Sequence, residues 1–578
     1  MAMEYKNKGT QAAEEISLEL MKETLQHFSR LHRYSGSEDG EESVRYIKSY
    51  LERYQIPCEI LTYDCYRSLP VSAKVTVGEK EYEALAAVYS GEADGLKAEL
   101  YYDAASEKTS LSEKENIKRL KEFKGKIILT NDRSGDFART AHEAGALGMI
   151  IIWPQTEEWL HHMTIGTVWG NPTIHDFYRF CRIPYVEVNH ESGLELKALC
   201  KEKKTEAMLT VKMDDRVIKT SMPVATIPGK SEKYVLISGH YDSWYEGITD
   251  NATSNAATLE CARVLFRHKD ELKRSVKVAF WSGHSDGRYA GSSWYVDTHW
   301  EDLDKNCVAH INLDLIGGKN DELVSRGTSL MEKEGLPESI IEEFSGVRPV
   351  LTAGLTRAGD ESFSGVGVPI SMLSRFASKE DGEYAQWASS YAPWWHSVAD
   401  TLDKVDEEFL LRDARINLKI VWEILQSEKL PVDMLRFAEY TEKKLKDFQA
   451  EYSEDFSLRG VLEKLEELKG AVVKLENAIE KYGIQDTDEI IKKISGGMVR
   501  LHYTYGSPYY HDPAYGGYSD LHIFKMMKGV TRENTTPETY LMYQTDFRRQ
   551  CNRQRAEMAK LIEAVDAQIF RWKMAVDA

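Results

Sequence analysis

The densest chemistry in the sequence is Gly239-His240-Tyr241-Asp242, which closes an apolar run, Tyr234 to Ser238, that reads as a strand. Open α/β sheets place their sites at the carboxyl ends of strands. His240 can ligate a metal, and Asp242 can hold its other ring nitrogen and so fix the tautomer. In Thr249-Asp250-Asn251-Ala252, Asp250 falls at a strand-to-helix turn. A carboxylate there either caps the helix or bridges two metals about 3.5–4 Å apart. Asp314 directly follows the strand candidate Ala309 to Leu313, and is either exposed at the sheet rim or a ligand. His396 follows Pro393-Trp394-Trp395 in a loop, and is either packed on the two indoles or a ligand. Each residue has an ordinary structural explanation; four of them at the same end of one sheet are harder to dismiss.

The elements that must position these residues follow from periodicity. Tyr234 to Ser238, Val276 to Trp281 and Ala309 to Leu313 are strand candidates, and Ala256 to Phe266 is a helix between the first two. Strands alternating with helices imply a mostly parallel sheet covered on both faces. Near the start, Ile16, Leu20, Leu25 and Phe28 have helical spacing, and Ser37 is placed to cap a second helix carrying Val44, Ile47 and Leu51. Residues 71–215 change character: the strand runs Ala73 to Val77, Lys126 to Thr130, Met149 to Trp153 and Tyr185 to Val188 surround a helix, Phe137 to Ala144. No catalytic motif falls there, so the stretch reads as an insertion. Beyond residue 431 the chain is helical. Leu458, Val461, Leu465, Leu468, Val472, Leu475 and Ile479 form a heptad seam, which packs within the chain or across a dimer.

Composition excludes several classes. A chain of 578 residues holds roughly three or four domains at about 150 residues each. Lys and Arg total 74 against 93 Asp and Glu, a net charge of −19. That argues against nucleic acid as a partner, because binding there rests on clustered cations. No apolar run reaches the roughly 18 residues of a membrane span. Met1 to Thr10 lacks the form of a signal peptide. The seven cysteines are scattered without a CxxC pair, as for free thiols in a reducing cytoplasm, and a cytoplasmic location is the expectation.

The order of motifs resembles the co-catalytic zinc peptidase family that includes bacterial aminopeptidases, glutamate carboxypeptidase II and the transferrin receptor. The matching residues are Gly239-His240-Tyr241-Asp242-Ser243, Thr249-Asp250-Asn251-Ala252, Phe280-Trp281-Ser282-Gly283, Gly291-Ser292, Asp314 and His396-Ser397, continued by Asp400-Thr401-Leu402-Asp403-Lys404. The resemblance implies an α/β fold, a mostly parallel mixed sheet sandwiched by helices. Residues 1–70 and 216–430 would form the catalytic domain, 71–215 an inserted protease-associated lid, and 431–578 a helical, dimerisation-like domain. It assigns His240 and Asp314 to one zinc, His396 to the other, and Asp250 to both. The second zinc would also take a carboxylate from a Glu-Glu pair whose first member is the general base.

That pair is absent here. The chain reads His284-Ser285-Asp286-Gly287-Arg288-Tyr289-Ala290-Gly291-Ser292. Counting forward from Trp281 puts His284 and Ser285 on the pair; counting back from Gly291 puts Ser285 and Asp286 there. The favoured expectation is Asp286 as the replacement ligand, with His284 as base or as ligand. Arg357, Asp360, Trp394 and Trp395 are candidate substrate contacts: Arg357 as a carboxylate clamp, the segment around Asp360 as the family's pocket loop, the indoles as an aromatic wall. His161-His162-Met163 and Thr167 to Pro172 suit a lid over the cleft. The expected function is a metal-dependent hydrolase of a small peptide or amide, holding one or two zinc ions, with manganese, iron or cobalt able to use the same donors. Two alternatives stand beside it: a lyase or non-peptide amidohydrolase using His284, and a metal-free receptor or scaffold. A homodimer through the C-terminal helices is expected, with no nucleic-acid or membrane partner.

Overall fold

The computed structural model describes residues 2–577 except 109–110, 112, 177–178, 320–324, 347–349, 353, 356, 376–391 and 515–519. Its strands, in chain order, are β1 (Cys58–Val77), β2 (Lys80–Ala86), β3 (Ala93–Tyr102), β4 (Lys126–Thr130), β5 (Gly148–Ile152), β6 (Tyr185–Val188), β7 (Thr205–Ile227), β8 (Tyr234–His240), β9 (Ser275–Trp281), β10 (Cys307–Asn312), β11 (Ser325–Thr328), β12 (Val350–Thr352) and β13 (Ile370–Arg375). They form one mixed sheet ordered β1-β2-β6-β5-β4-β3-β7-β9-β8-β10-β13-β11-β12, with β1 also pairing β7.

Strands β9, β8, β10 and β13 run parallel to one another, so their carboxyl ends share one edge. Every residue of β8 and β10 is buried, as both-face coverage requires. The covering helices Leu18–Phe28, Thr253–Arg267 and Glu407–Gln426 contribute Leu25, Phe28, Leu259, Val264, Ile420 and Trp422 to a single core. Ser37 does cap the helix Glu38–Arg53, its Oγ accepting from the Gly40 amide at 3.0 Å.

The inserted segment is not hung on a flexible linker. β1 and β7 pair antiparallel from Cys58 opposite Ala225 to Thr76 opposite Met208, and the expected boundaries near 70 and 216 fall inside this ribbon. The outer half of the ribbon belongs to the insert's sheet; the inner half of β7 pairs β9.

The seam predicted for 458–479 lies on the helix Arg459–Lys481, and Val461, Leu465, Leu468, Val472, Leu475 and Ile479 are buried within the chain. This helix packs on Met434–Ala450 and on the long helix Pro537–Asp577. The seam is therefore satisfied internally and carries no argument for a dimer. Among the described residues, no helix is long and apolar enough to cross a membrane.

Candidate metal centre

The parallel strands deliver the site. His240 ends β8, His284 follows β9, and Asp314 follows β10. Gly239 allows this close approach, because a Cβ there would lie 2.9 Å from the Leu313 carbonyl oxygen. Asn251 ties the turns together, its Nδ2 donating to Leu313 O at 3.0 Å while its Oδ1 accepts from the Leu315 amide at 3.3 Å. The Asp250 turn is fixed by Asp400, whose carboxylate accepts from Thr249 N, Thr249 Oγ1 and Asp250 N at 2.8–3.0 Å. Burial pushes Asp400 up to about 7 against those hydrogen bonds. The loop after β8 is held by fully buried Arg33, which donates to the carbonyls of Tyr241, Glu246 and Gly247.

The imidazole of His240 is set by its Nδ1–H, which donates to the backbone carbonyl of Asp242 at 2.9 Å. The sequence pointed to the Asp242 carboxylate for this task. The structure spends that carboxylate elsewhere: it accepts from the His284 and Ser285 amides, each at 3.2 Å. With Nδ1 committed as a donor, His240 Nε2 carries a lone pair. Asp250 Oδ1 lies 3.1 Å from it and Asp314 Oδ1 3.5 Å. All three atoms are buried, and none has a hydrogen-bond partner among the described residues. Three converging acceptors without a partner call for a cation between them. A proton and a metal ion compete for that nitrogen, because the same two carboxylates attract either. Burial disfavours a charged His240, yet Asp250 and Asp314 outweigh it and hold the imidazole well above its ordinary pKa. Burial likewise opposes ionisation of Asp250, but His240 and His396 outweigh it and keep this carboxyl well below the usual range.

Asp250 faces both histidines: its Oδ2 lies 3.1 Å from His396 Nε2. The inserted segment orients that second ring. His396 Nδ1–H donates to the His162 carbonyl at 2.7 Å, and the His162 amide donates back to the His396 carbonyl at 3.0 Å. His161 Nδ1 donates to the Trp395 carbonyl at 2.5 Å. The His162 ring stacks on Trp244, centroids 3.9 Å apart, and Trp244 meets His396 edge-on. His161 and His162 stood in the sequence only as lid residues and Trp244 went unremarked, although it lies two residues beyond Asp242.

His284 stacks flat on His240, ring centroids 3.7 Å apart. Its Nδ1 donates to Asp360 Oδ2 at 2.7 Å, while Asp360 Oδ1 accepts from Ser292 Oγ at 2.6 Å. Burial opposes charge on Asp360, but His284 outweighs it and lowers the carboxyl below its ordinary pKa. Asp360 is fully buried, so it is a partner of His284 rather than the substrate contact expected of it. His240, His284 and Asp314 can each bring one donor atom within 4.8 Å of the others.

Other expectations meet a different geometry. Asp286 does not join the centre: its Oδ2 accepts from the Ser35 amide at 3.1 Å, its Oδ1 is buried without a partner, and burial beside Asp242 pushes it up to about 7. The two amides on Asp242 instead support the forward count, with His284 and Ser285 first after Gly283. The extra residue can be absorbed at Arg288 and Tyr289, both left-handed (φ 51° and 67°). Arg357 is no open clamp. Its guanidinium lies 4.2 Å over the Trp169 ring and donates to the Asp512 carbonyl, a strut between the insert and the C-terminal region. Trp394 is buried with its Nε1 donating to Thr249 Oγ1 at 3.0 Å, so it is packing. Trp395 does face the centre, its ring 3.4 Å from that of His396.

Residues 224–421 match the model of Peptidase family M28. All the donors described above lie within the matched residues, and the His161–His162 clasp comes from the insert that precedes them. An aminopeptidase of Pseudomonas aeruginosa is 26% identical over 310 residues, 50% of this chain and 54% of that one. The chain thus spans about half the length of the first curated relatives it matches. An aminopeptidase from Aneurinibacillus sp. strain AM-1 superimposes with a TM-score of 0.56 at 24% identity, covering 74% of this chain and 98% of that one. A zinc aminopeptidase from Bacillus subtilis gives 0.54 at 21% identity, covering 71% and 96%. These two structures share the fold over about three quarters of this chain.

Proposed function

We propose that the protein is a metal-dependent hydrolase of peptide or amide bonds, acting on a small substrate in the manner of an aminopeptidase. The observation that carries this reading is the convergence of three buried, unpartnered acceptors, His240 Nε2, Asp250 Oδ1 and Asp314 Oδ1, beside the His284–Asp360 pair. Imidazole with carboxylate suits zinc, and manganese, iron or cobalt would accept the same donors. His240, Asp250 and Asp314 would hold the ion; when bound, zinc polarises a carbonyl and makes water acidic enough to ionise near neutral pH.

The proton traffic falls to the chain's own residues. Asp360 takes the Nδ1–H of His284, which leaves a lone pair on Nε2. A ring held in this way accepts a proton from the attacking water and returns it to the leaving amine. Asp242 supports the geometry by gripping the His284 amide. Trp395, flat on His396 and only partly buried, supplies an apolar wall for the substrate. The intact donor set speaks against a metal-free scaffold, which needs no such convergence.

The test is hydrolysis of aminoacyl p-nitroanilides and short peptides by zinc-loaded protein, abolished by chelation and restored by zinc. Solvent oxygen-18 in a carboxylate product is the expected result. An unlabelled, unsaturated product would reassign the chemistry to elimination, with His284 taking a proton from carbon.

A further inference from the structure

We infer that this centre is built for one metal ion rather than two, an inference that rests on the metallohydrolase reading above. The Asp250 carboxylate has a histidine on each oxygen, so it could serve two ions. The two sides are unequal. On the His240 side, Asp314 Oδ1 stands 3.5 Å from the same nitrogen that Asp250 Oδ1 approaches to 3.1 Å, giving three protein donors. On the His396 side, His396 Nε2 and Asp250 Oδ2 face each other at 3.1 Å. Among the described residues, the three-donor group whose atoms lie within 4.8 Å of one another is His240, His284 and Asp314, and His396 is outside it.

Among the described residues, three buried carboxylates nearby are held by other groups through at least one oxygen each. Asp286 is turned to the Ser35 amide. Asp400 gives both oxygens to the Asp250 turn. Glu187, beneath the clasp, accepts from the His161 amide. The pattern of orphaned atoms repeats the asymmetry. All three donors on the His240 side are buried without partners, whereas the His396 ring is partly open to the cleft. A catalytic zinc takes three protein donors and leaves a position for water. Among the described residues, the His240 side meets that requirement and the His396 side falls one donor short. His396 is then a positioning residue, steadying Asp250 from the cleft side.

The test is metal content by elemental mass spectrometry on the full-length protein. It is purified without chelator or metal-affinity resin, saturated with zinc and desalted. One equivalent per chain is expected, retained by His396→Gln and lost by Asp314→Asn, with circular dichroism confirming that both variants fold. Should a variant not fold, the count on the native chain decides. Two equivalents in the native protein would overturn the one-ion centre and leave the metallohydrolase reading standing. Metal kept by Asp314→Asn and lost by His396→Gln would overturn it as well. No metal under any loading would overturn both.

Discussion

At the scale of single residues, the pair His284–Asp360 is where this site has its own character. Asp360→Asn should leave metal content unchanged and lower kcat by about 100-fold or more, the usual worth of a positioned acid–base group. Steady-state kinetics beside a metal count checks it; an unaffected kcat would remove His284 from proton transfer. Asp286 makes a different prediction. Burial beside Asp242 pushes its carboxyl up to about 7 in the folded protein, against about 3.9 when unfolded. Between those values the folded state holds the extra proton, so this residue's contribution to stability is full below the lower value and is lost as pH rises through the higher one. Asp286→Asn, which stays neutral, should gain on wild type between pH 5 and pH 8, by about 1–4 kcal/mol. Urea unfolding at both pH values measures the gap, and a constant difference would contradict it. His240, Asp250, Asp314 and His396 were legible in the sequence because strand ends and turns announce them. The partner of His284 was not, since it lies 76 residues away on a loop. Asp286 was misread because a count along the chain fixes a position but not the side to which a turn aims its side chain.

At the scale of elements, most strands and the capped helix after Ser37 were legible from apolar runs and from one hydroxyl at the right offset. The partner of the seam on Arg459–Lys481 was not, because an amphipathic stripe states that it will be covered and not by what. The covering helices come from this chain, so Leu475→Ala should cost about 2–5 kcal/mol without changing the mass in sedimentation. A change of mass would mean that the seam also serves another copy. The insert was legible as a separate stretch but its grip on His396 was not, since that grip runs largely through the backbone of His162.

At the scale of the molecule, one hydrophobic core reaches from Ala12 through the central sheet to Val565. The C-terminal helices are thus part of what keeps the sheet dry. A chain ending at residue 430 would strip Asp488 from buried Arg274 and Tyr503 from the Ser329 carbonyl, and would open the shared core. It should be insoluble or should bind a hydrophobic dye with its near-ultraviolet dichroism lost. A soluble, cooperatively unfolding fragment would contradict that. The ribbon of β1 and β7 has a mechanical consequence of its own. Its outer half carries the insert, and its inner half is bonded to β9, the strand that launches His284. Prising the insert from Trp395 and His396 would load this two-stranded girder in torsion and pass the strain to the strand that precedes His284. The girder's one break in register, between Pro70 and Ser72, is where it can yield, so on the hydrolase reading proposed above an opening of the insert and the placing of His284 would be geared together.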